Sequence, residues 1–595
     1  MLRILHARLR ATSRPSDEGI ALVLVISIGA VLTVLMTAAI AYGLGAFRKA
    51  DSDASWSSAI AAAYAGIEEY QSRLANDPTY LQYGNPASPF SDGTENESGE
   101  VSDVALPTTE NEAFGVGAAG TWADVAGSGG EASYRYEVDN SQYYETGTLY
   151  VRSTGRVGGE TRTIVADLRQ QGFIDFLYFT DYEIQDPAMS GDANSCVRYA
   201  YAGRPTGCSE IAFGSNDVVD GPAHSNDRIR ICDARFKGAL TTSYNPTSGL
   251  RYTPRNSLNN SCGGQVFDLA GSPAYSPIIG MPQTNSQLKR EVRSDLTGGE
   301  VPNPGCLYTG PTRIQLNTDG TITVRSPWTR ATRVAGDPAT SGTAPAACGA
   351  IASLQSAGGA TFTPPANNVI YVQNVPTVAS DPNYHASGAV PVSGFTCNGG
   401  TGASRPDGTS AVGYGNGIGY PATNERMRRN NAYECRTGDV FVQGTLDGQM
   451  TIAAEKYIYV TGDIRYEDAN DDMLGLIGTD AIWIWNPVNS SNQSLLGGSN
   501  RRVDAAMLSV AHTMQVQNYD VGGNRGTLTV TGAIAQKFRG IVRSGSNGYA
   551  KQYLYDERLR YTAPPKFLSP VTTTYGVTVW IEVGKAFESD GTVAG

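Results

Sequence analysis

The longest apolar segment of the chain runs from Ile20 to Phe47 and contains no charged residue, IALVLVISIGAVLTVLMTAAIAYGLGAF. About 20 consecutive apolar residues in a helix cross a bilayer. The segment is also longer than the ~7–15 apolar residues of a secretory signal. It therefore predicts a membrane-spanning helix.

The helical pattern continues beyond Phe47 to Asn76, and the next proline is Pro78. In this second part apolar residues recur at helical spacing and polar residues occupy the other side, which indicates an amphipathic helix. A single helix from Ile20 to Asn76 would be ~85 Å long at 1.5 Å per residue. A helix of that length cannot be buried in one small domain, so we expect it to pack against partners.

The pattern then changes to the alternation that is typical of β-strands. After a loop-like stretch, three alternating runs separated by turns in Ser133–Arg169 predict an antiparallel sheet packed on the exposed half of the helix. Later stretches, such as Gly438–Tyr466, contain short β runs that start about 7–10 residues apart. This rhythm favours the stacked coils of a parallel β-solenoid, with a sandwich of short strands as the alternative. The predicted fold class is α+β, with a long helix, a small antiparallel head and a large all-β module.

The residues before the apolar segment form a short polar leader, MLRILHARLRATSRPSDEG. It carries four arginines, and only Arg48 and Lys49 follow the segment closely. The positive-inside rule then keeps the N-terminus in the cytoplasm and places the rest of the chain outside. The predicted organisation is leader 1–19, helix 20–77, β head 78–172 and β-rich module 173–595.

The junction between leader and helix resembles a type IV prepilin N-terminus. Asp17, Glu18 and Gly19 precede an uncharged run that begins at Ile20, and the TGRVGGETRTI segment is similar to the end of the head in PilX-type minor pilins. The β-rich module resembles an uncharacterised domain found behind such N-termini. The resemblance implies that a prepilin peptidase cleaves between Gly19 and Ile20 and that Ile20 is N-methylated. A plain single-span anchor is the alternative.

Position 24 departs from the major pilins that the N-terminus resembles. Those proteins carry a glutamate at the fifth mature position, which here is Leu24, and that glutamate neutralises the N-terminal amine of a neighbouring subunit. A buried, unpaired charge costs several kcal/mol. The resemblance therefore implies a minor or tip subunit whose partners are other pilin subunits, the pilus assembly platform and the prepilin peptidase.

The net charge of −12 argues against a uniformly basic nucleic-acid binder. The one basic cluster, Arg426, Arg428 and Arg429 with Tyr433, could contact phosphates. Against this acidic background we interpret it as a solvated loop, and we do not expect nucleic acid to be a partner.

The cysteines are even in number, and no two of them have the CxxC spacing of a zinc site. We interpret them as a disulfide set formed outside the cytoplasm, with buried free thiols as the alternative. The sequence leaves their pairing open. They are Cys196, Cys208, Cys232, Cys262, Cys306, Cys348, Cys397 and Cys435.

An acidic turn is the only candidate metal site. Its oxygen-bearing side chains suit a hard cation such as calcium, but the EF-hand spacing is absent, so a solvated turn is the preferred interpretation. The turn consists of Glu467, Asp468, Asn470, Asp471 and Asp472.

The sequence contains no motif for a nucleotide, a cofactor or a catalytic nucleophile. The glycine-rich segment 413–419 breaks the GxGxxG pattern, and His512 in an apolar run is interpreted as a structural histidine. We therefore predict that the protein has no enzymatic activity and binds no cofactor.

The predicted function is that of a minor subunit of a type IV pilus or a pilin-like filament. The precursor would lie in the cytoplasmic membrane through Ile20 to Phe47. The assembled subunit, at or near the tip, would display its β-rich module on the cell surface for adhesion or filament priming. The alternatives are a single-span surface protein that never polymerises and a surface enzyme that acts on a glycan. The ligand of the module and the role of the system are not determined by the sequence.

Overall fold

The computed structural model describes residues 18–594 apart from 92–103, 117–120, 142, 144–147, 171, 216, 297–300, 302–303, 334–347, 406–407, 412, 429–432, 561, 569 and 571–574. Residues 1–17 of the predicted leader therefore lie outside the described residues.

The described α-helices are one long and three short helices. They are α1 (Glu18–Asn76), α2 (Pro187–Ser190), α3 (Ser286–Arg290) and α4 (Ile351–Leu354). The described strands are β1 (Ala123–Asp124), β2 (Ala132–Asp139), β3 (Thr148–Val157), β4 (Glu160–Gln170), β5 (Tyr178–Tyr182), β6 (Ala212–Phe213), β7 (Val218–Asp220), β8 (Ala223–Ser225), β9 (Ile229–Ile231), β10 (Arg235–Phe236), β11 (Leu240–Thr242), β12 (Tyr252–Thr253), β13 (Val266–Phe267), β14 (Ala274–Tyr275), β15 (Cys306–Thr309), β16 (Thr312–Leu316), β17 (Ile322–Arg325), β18 (Ala360–Phe362), β19 (Asn368–Gln373), β20 (Val440–Leu446), β21 (Gln449–Ala454), β22 (Ile458–Tyr466), β23 (Met473–Gly478), β24 (Ile482–Ile484), β25 (Arg501–Ser509), β26 (Met514–Val516), β27 (Asn524–Phe538), β28 (Arg543–Ser544), β29 (Asn547–Tyr555) and β30 (Tyr575–Val583).

The chain folds into two compact units, and the predicted fold class is confirmed. The first unit comprises Met1–Arg169 and Tyr575–Gly595, and the second comprises Gln170–Thr574. The first unit, called the head unit below, contains α1 and a five-stranded sheet in the order β1-β2-β3-β4-β30. The strands β1 to β4 pair antiparallel in sequence order. The second half of α1 packs on this sheet, as the amphipathic pattern predicts.

The end of the chain corrects the predicted domain boundary. The sequence pattern predicts one module over residues 173–595, whereas β30 is the neighbour of β4 in the head sheet. The second unit, called the module below, is therefore an insertion between the last two strands of that sheet. A strand pattern shows that a segment needs a neighbour for its backbone hydrogen bonds. It does not show which sheet edge supplies that neighbour, because the pairing is made over about 400 residues of intervening chain.

The module consists of parallel strands stacked in coils, which is the arrangement of a β-solenoid. On face A the stacked strands are β15, β19, β21, β23, the second half of β25, the second half of β27, β5, β8, β11 and β14. On face B they are β16, β20, β22, β24 and β26. On face C they are the first half of β25, the first half of β27, β29, β7, β10 and β13. The strand starts predicted near Val440, Met450 and Tyr457 fall at β20, β21 and β22.

The order of coils in the stack differs from their order along the chain. The first strand of the module, β5, pairs in parallel with β27, and β7 pairs in parallel with β29. The coils that come first in the sequence therefore stack on the coils that come last in the sequence. After β14 the chain passes along face A and reaches β15 at the other end of the stack.

The described first part of this passage, residues 276–296, is called the strap below. Its apolar side chains Ile279 and Val292 are buried against outward-facing residues of face A. The Asn285 amide donates to the carbonyls of Ala454 (2.7 Å) and Ile477 (3.2 Å), and so binds two successive coils. Because the strap covers apolar residues that point outward from face A, the strands of this face are buried on both sides.

Candidate assembly site

The first half of α1 exposes apolar side chains on every side. Between Leu22 and Phe47 the large apolar residues are all more than half exposed, and Leu24 is 56 % exposed. Among the described residues α1 is the one helix that is long and apolar enough to cross a membrane, as judged from length and composition. A helix that is apolar all round must be covered by lipid or by other helices.

The predicted processing site lies at the start of this helix. Gly19 and Ile20 both lie within α1, which begins at Glu18. Leu24 lies one turn further along, and its side chain offers neither a charge nor a hydrogen bond to a neighbouring N-terminus. The proposed roles of these three residues stay predictions.

The second half of α1 approaches the head sheet closely at two glycines. A Cβ on Gly155 of β3 would lie 2.1 Å from the carbonyl oxygen of Ala59 and 2.2 Å from the nitrogen of Ala63. A Cβ on Gly66 of α1 would lie 2.3 Å from Oγ of Ser153. Real Cβ atoms do not approach other atoms so closely, so glycine at these positions sets the distance between helix and sheet.

A polar cluster fixes the last turns of α1 to the sheet. The hydroxyl of Tyr136 donates to Glu69 (2.8 Å), and Glu69 pairs with Arg73 one turn later (2.5 Å). Burial and the Glu69 carboxylate raise the pKa of Tyr136 well above its ordinary value. This tyrosine therefore stays protonated and acts as a hydrogen-bond donor to the helix.

In the module, the eight cysteines form four disulfides between neighbours in sequence, and none is left free. The pairs are Cys196–Cys208, Cys232–Cys262, Cys306–Cys348 and Cys397–Cys435. Each bond closes an excursion from the coils or ties one coil to the next, which fits a domain that is exposed outside the cytoplasm.

The length of the closed loop predicts how much each disulfide stabilises the module. Cys306–Cys348 closes a sequence separation of 42 residues and Cys196–Cys208 one of 12. A longer loop loses more entropy when it is closed in the unfolded chain. We expect C306A/C348A to lower the free energy of unfolding by about 1 kcal/mol more than C196A/C208A. Urea unfolding of the two double variants measures the difference, and equal losses would contradict the entropic argument.

The candidate calcium turn does not gather its oxygens around one point. Asp472 is buried, and its carboxylate accepts from the backbone N–H of Gly448 (2.6 Å) and of Asp468 (2.7 Å). Glu467, Asp468, Asn470 and Asp471 are exposed. The one group of three close His, Cys, Asp or Glu ligand atoms among the described residues is Cys232, Asp233 and Cys262, and both of its thiols belong to a disulfide. The geometry of the acidic turn is that of a hydrogen-bonded loop.

Two described members of the candidate basic cluster have partners within the protein. Arg428 pairs with Asp520 through both terminal nitrogens (2.7 and 3.1 Å). Tyr433 is buried, with its hydroxyl on Glu425. Arg429 lies outside the described residues. Of the cluster's described residues, Arg428 is therefore neutralised by a carboxylate and Tyr433 does not reach the surface.

His512 is paired with carboxylates instead of standing in an apolar run. Its Nδ1 lies 2.5 Å from Oδ2 of Asp186, and its Nε2 lies 3.8 Å from Oδ1 of Asp480. The pKa of His512 is raised, because attraction to these carboxylates outweighs the opposing effect of burial. The Asp186 carboxylate also accepts from the first turn of α2, through the N–H of Ala188. The histidine thus links the segment between β25 and β26 to the start of α2.

The excursion between β19 and β20, residues 374–438, covers face B and is called the cover segment. Its Tyr420 ring stacks on Phe441 of β20 at 4.1 Å between ring centroids, and Phe441 stacks on Tyr459 of β22 at 4.8 Å. Under this layer, the fully buried Glu425 accepts hydrogen bonds from the Tyr433 hydroxyl (2.7 Å) and the Gln517 amide (3.3 Å). Glu425 forms no ion pair among the described residues.

Burial raises the pKa of two carboxyl groups beside this layer. The pKa of Glu425 is raised to about 7, and that of Asp439 at the start of β20 is also raised to about 7. Asp439 accepts from the Thr437 hydroxyl (2.8 Å) and from the N–H of Tyr457 (3.2 Å). Neither residue is among the candidates that the sequence offers, because an isolated acidic residue gives no sequence signal of burial.

Comparison with known proteins shows little similarity at the sequence level. No family model matches the chain, and no curated protein matches it. Among solved structures, the crystal structure of the competence-associated pilin ComZ from Thermus thermophilus is similar, with 12 % sequence identity and a TM-score of 0.24 over 89 % of this chain and 97 % of that chain. Because the TM-score is so low, we draw no functional conclusion from this likeness.

Proposed function

We propose that the protein is a minor subunit of a type IV pilus or a related pilin-like filament. The observation that carries the proposal is the division of α1 into two halves. One half exposes apolar side chains on all sides, and the other half packs on an antiparallel sheet. Such a helix serves as a membrane anchor before assembly and as an element of a helical filament core afterwards.

Leu24 supports the role of a minor subunit at or near the tip of the filament. It argues against a subunit that is repeated along the shaft. In a filament core the N-terminal amine of each mature subunit is surrounded by apolar helices. A buried charge without a partner costs several kcal/mol, so a repeated subunit needs a carboxylate nearby. A subunit with Leu24 supplies no such carboxylate to a neighbour that follows it.

The insertion of the module supports a display role. The module leaves the head sheet after β4 and returns to it at β30, so two connections join it to the head unit. Four disulfides and the strap stabilise the coils, and disulfides are typical of proteins outside the cytoplasm. We propose that this module is the part of the subunit that meets a surface ligand or primes the filament.

The first test is the N-terminus of the mature protein from native cells. We expect mass spectrometry to find a chain that begins at N-methylated Ile20, and we expect this form to disappear in cells without prepilin peptidase. Quantitative peptide counting in sheared, purified filaments should also find far fewer copies of this chain than of the most abundant subunit.

Two results would contradict the proposal. An intact Met1, or processing that does not depend on the peptidase, would leave a single-span surface protein. A copy number equal to that of the most abundant subunit would contradict the minor position and the argument from Leu24.

A further inference from the structure

We infer that the free edge of β30, together with Trp56 of α1, is the surface on which the head of a neighbouring, different pilin-like subunit docks. This inference rests on the proposed function, because it names the partner of a subunit in a filament. All residues involved belong to the head unit.

The two edges of the head sheet differ. At one edge, β1 has only two residues, which is a common way of protecting a sheet edge. At the other edge, β30 has nine residues, YGVTVWIEV, and no further strand pairs with it among the described residues. A long edge strand offers a row of unpaired N–H and C=O groups to another chain.

Three described apolar side chains near the end of β30 are exposed. Trp580, Ile581 and Val583 are 41 %, 55 % and 36 % exposed. The single charged residue of the strand is Glu582. Its carboxylate accepts hydrogen bonds from Nε (2.7 Å) and Nη2 (2.5 Å) of Arg162, which neutralises its charge. The strand therefore lacks the free charges that usually keep an edge from pairing.

The helix extends this surface. Trp56 is 50 % exposed. The guanidinium carbon of Arg162 lies over its ring, 4.9 Å from the Trp56 ring centroid. Tyr64 is 38 % exposed and contacts Trp580 in an edge-to-face arrangement, with ring centroids 4.7 Å apart. Arg162 thus connects the helix to the edge strand, and aromatic side chains cover the surface between them.

The position of the surface indicates the partner. Trp56 lies about 14 Å along α1 from Phe47, the last residue of the uncharged half. A subunit whose helix packs against that half brings its own head beside Trp56 and β30. A backbone edge recognises another strand, and this geometry favours a protein head over a polysaccharide or a nucleic acid. A second copy is disfavoured because the proposed function places few copies of this chain in one filament.

The test uses the full-length chain in its native filaments. A photo-crosslinking amino acid replaces Ile581, and a matched control replaces Glu131, which is exposed in the turn before β2. After irradiation of purified filaments, we expect the Ile581 position to crosslink to another filament subunit that begins with its own peptidase-processed apolar helix. The control position should give less than a tenth of that product.

Two further variants test whether contact at the edge of β30 is needed for assembly of the chain into filaments. I581K/V583K should reduce the amount of the chain in filaments at least tenfold, while T592K, at an exposed site of the same unit, should leave it unchanged. Protease resistance of the membrane-extracted variants shows whether the head unit still folds. If I581K/V583K is unfolded, the crosslink at Ile581 decides alone.

The outcomes separate this inference from the proposed function. A mature N-terminus at Ile20 with filament incorporation but no crosslink at Ile581 overturns the docking surface only. A crosslink to a second copy of this chain overturns the choice of partner. A chain that is not processed at Ile20 overturns the proposed function itself.

Discussion

Replacing Gly155 with alanine is expected to separate α1 from the head sheet. The added methyl group would lie 2.1 Å from the Ala59 carbonyl oxygen and 2.2 Å from the Ala63 nitrogen, both of which are helix backbone. Backbone cannot rotate away as a flexible side chain can, so the helix must move by about 1 Å or more. Overpacking usually costs ~1–3 kcal/mol, and a rigid clash of this kind belongs to the upper tail of mutational effects, on the order of 4 kcal/mol.

The loss of stability caused by Gly155→Ala would affect the whole interface between α1 and the head sheet. Ala63, Ile67, Tyr70 and Leu74 are buried against the sheet, and all of them depend on the same helix position. We expect the backbone amides of β2, β3 and β4 to lose about a thousandfold in protection from hydrogen exchange, since 1.4 kcal/mol corresponds to a factor of ten. Hydrogen-exchange mass spectrometry on the full chain in detergent measures this effect without separating the two units.

Gly159 provides the matched control, because it lies four residues away at the turn between β3 and β4. A Cβ on Gly159 would have no heavy atom within 4 Å, and its φ does not lie in the left-handed region. We therefore expect the hydrogen-exchange protection of the head sheet in the Gly159→Ala variant to stay within about threefold of its value in the unchanged chain. Equal protection in the G155A and G159A variants would show that the helix does not depend on this close approach.

The second large effect is a loss of stability of the cover segment as the pH rises. Glu425 and Asp439 are fully buried, and each has a pKa of about 7 in the folded protein. In the unfolded chain such groups have pKa values near 4, so the folded state favours their protonated forms. Their contribution to the free energy of unfolding is complete below about pH 4 and is lost progressively as the pH rises through 7. His512, which pairs with Asp186 and Asp480 outside the cover segment, also has a raised pKa; its contribution to the stability of the module is lost as the pH rises above about 6.5.

The expected size of the effect is about 3 kcal/mol for Glu425 alone, on the basis of 1.36 kcal/mol for each pH unit between the two pKa values. Glu425 accepts from Ala422, Tyr433 and Gln517, and none of these groups is a cation that could pair with the charged carboxylate. Opening the cover segment lets water reach the charge. The aromatic layer of Tyr420, Phe441 and Tyr459 holds the segment against this opening.

Hydrogen exchange between pH 5 and pH 8, corrected for the intrinsic exchange rate, tests the expectation. We expect peptides from 413–428 and 433–446 to lose protection as the pH rises, while the strap segment keeps its protection. The Glu425→Gln variant should remove about half of this dependence, because Asp439 has a similarly raised pKa, whereas Asp471→Asn, at an exposed site, should retain it in full. A cover segment whose protection is the same at both ends of the range, or an unchanged dependence in E425Q, would contradict the argument.

Several features of the fold could be predicted because they arise from local patterns. The uncharged run and the amphipathic repeat predicted one helix to Asn76, and α1 ends there. The alternation in Ser133–Arg169 predicted the three strands that form β2, β3 and β4. Regular runs in Gly438–Tyr466 favoured coils over a sandwich, and β20, β21 and β22 pair in parallel with their neighbours.

Other features required contacts between distant parts of the chain. The alternating pattern of residues 575–583 fits any open sheet edge, and only the folded chain places this strand beside β4. The spacing of the cysteines left their pairing open, since proximity of two thiols depends on how coils stack. Glu425 is an ordinary loop residue in the sequence, and its pKa is raised because the folded chain buries it.

The sequence by itself determined the anchor and the elements: an uncharged helix that starts at a leader-like junction, an amphipathic continuation and short β runs. These follow from periodicity and composition, which act over a few neighbouring residues. Only the tertiary structure decided that the module is inserted before β30, that its first coils stack on its last, and that Gly155 sets the distance between helix and sheet. Each of these depends on atoms that are distant in sequence and touch only in the folded chain, where backbone pairing and close packing leave a single arrangement.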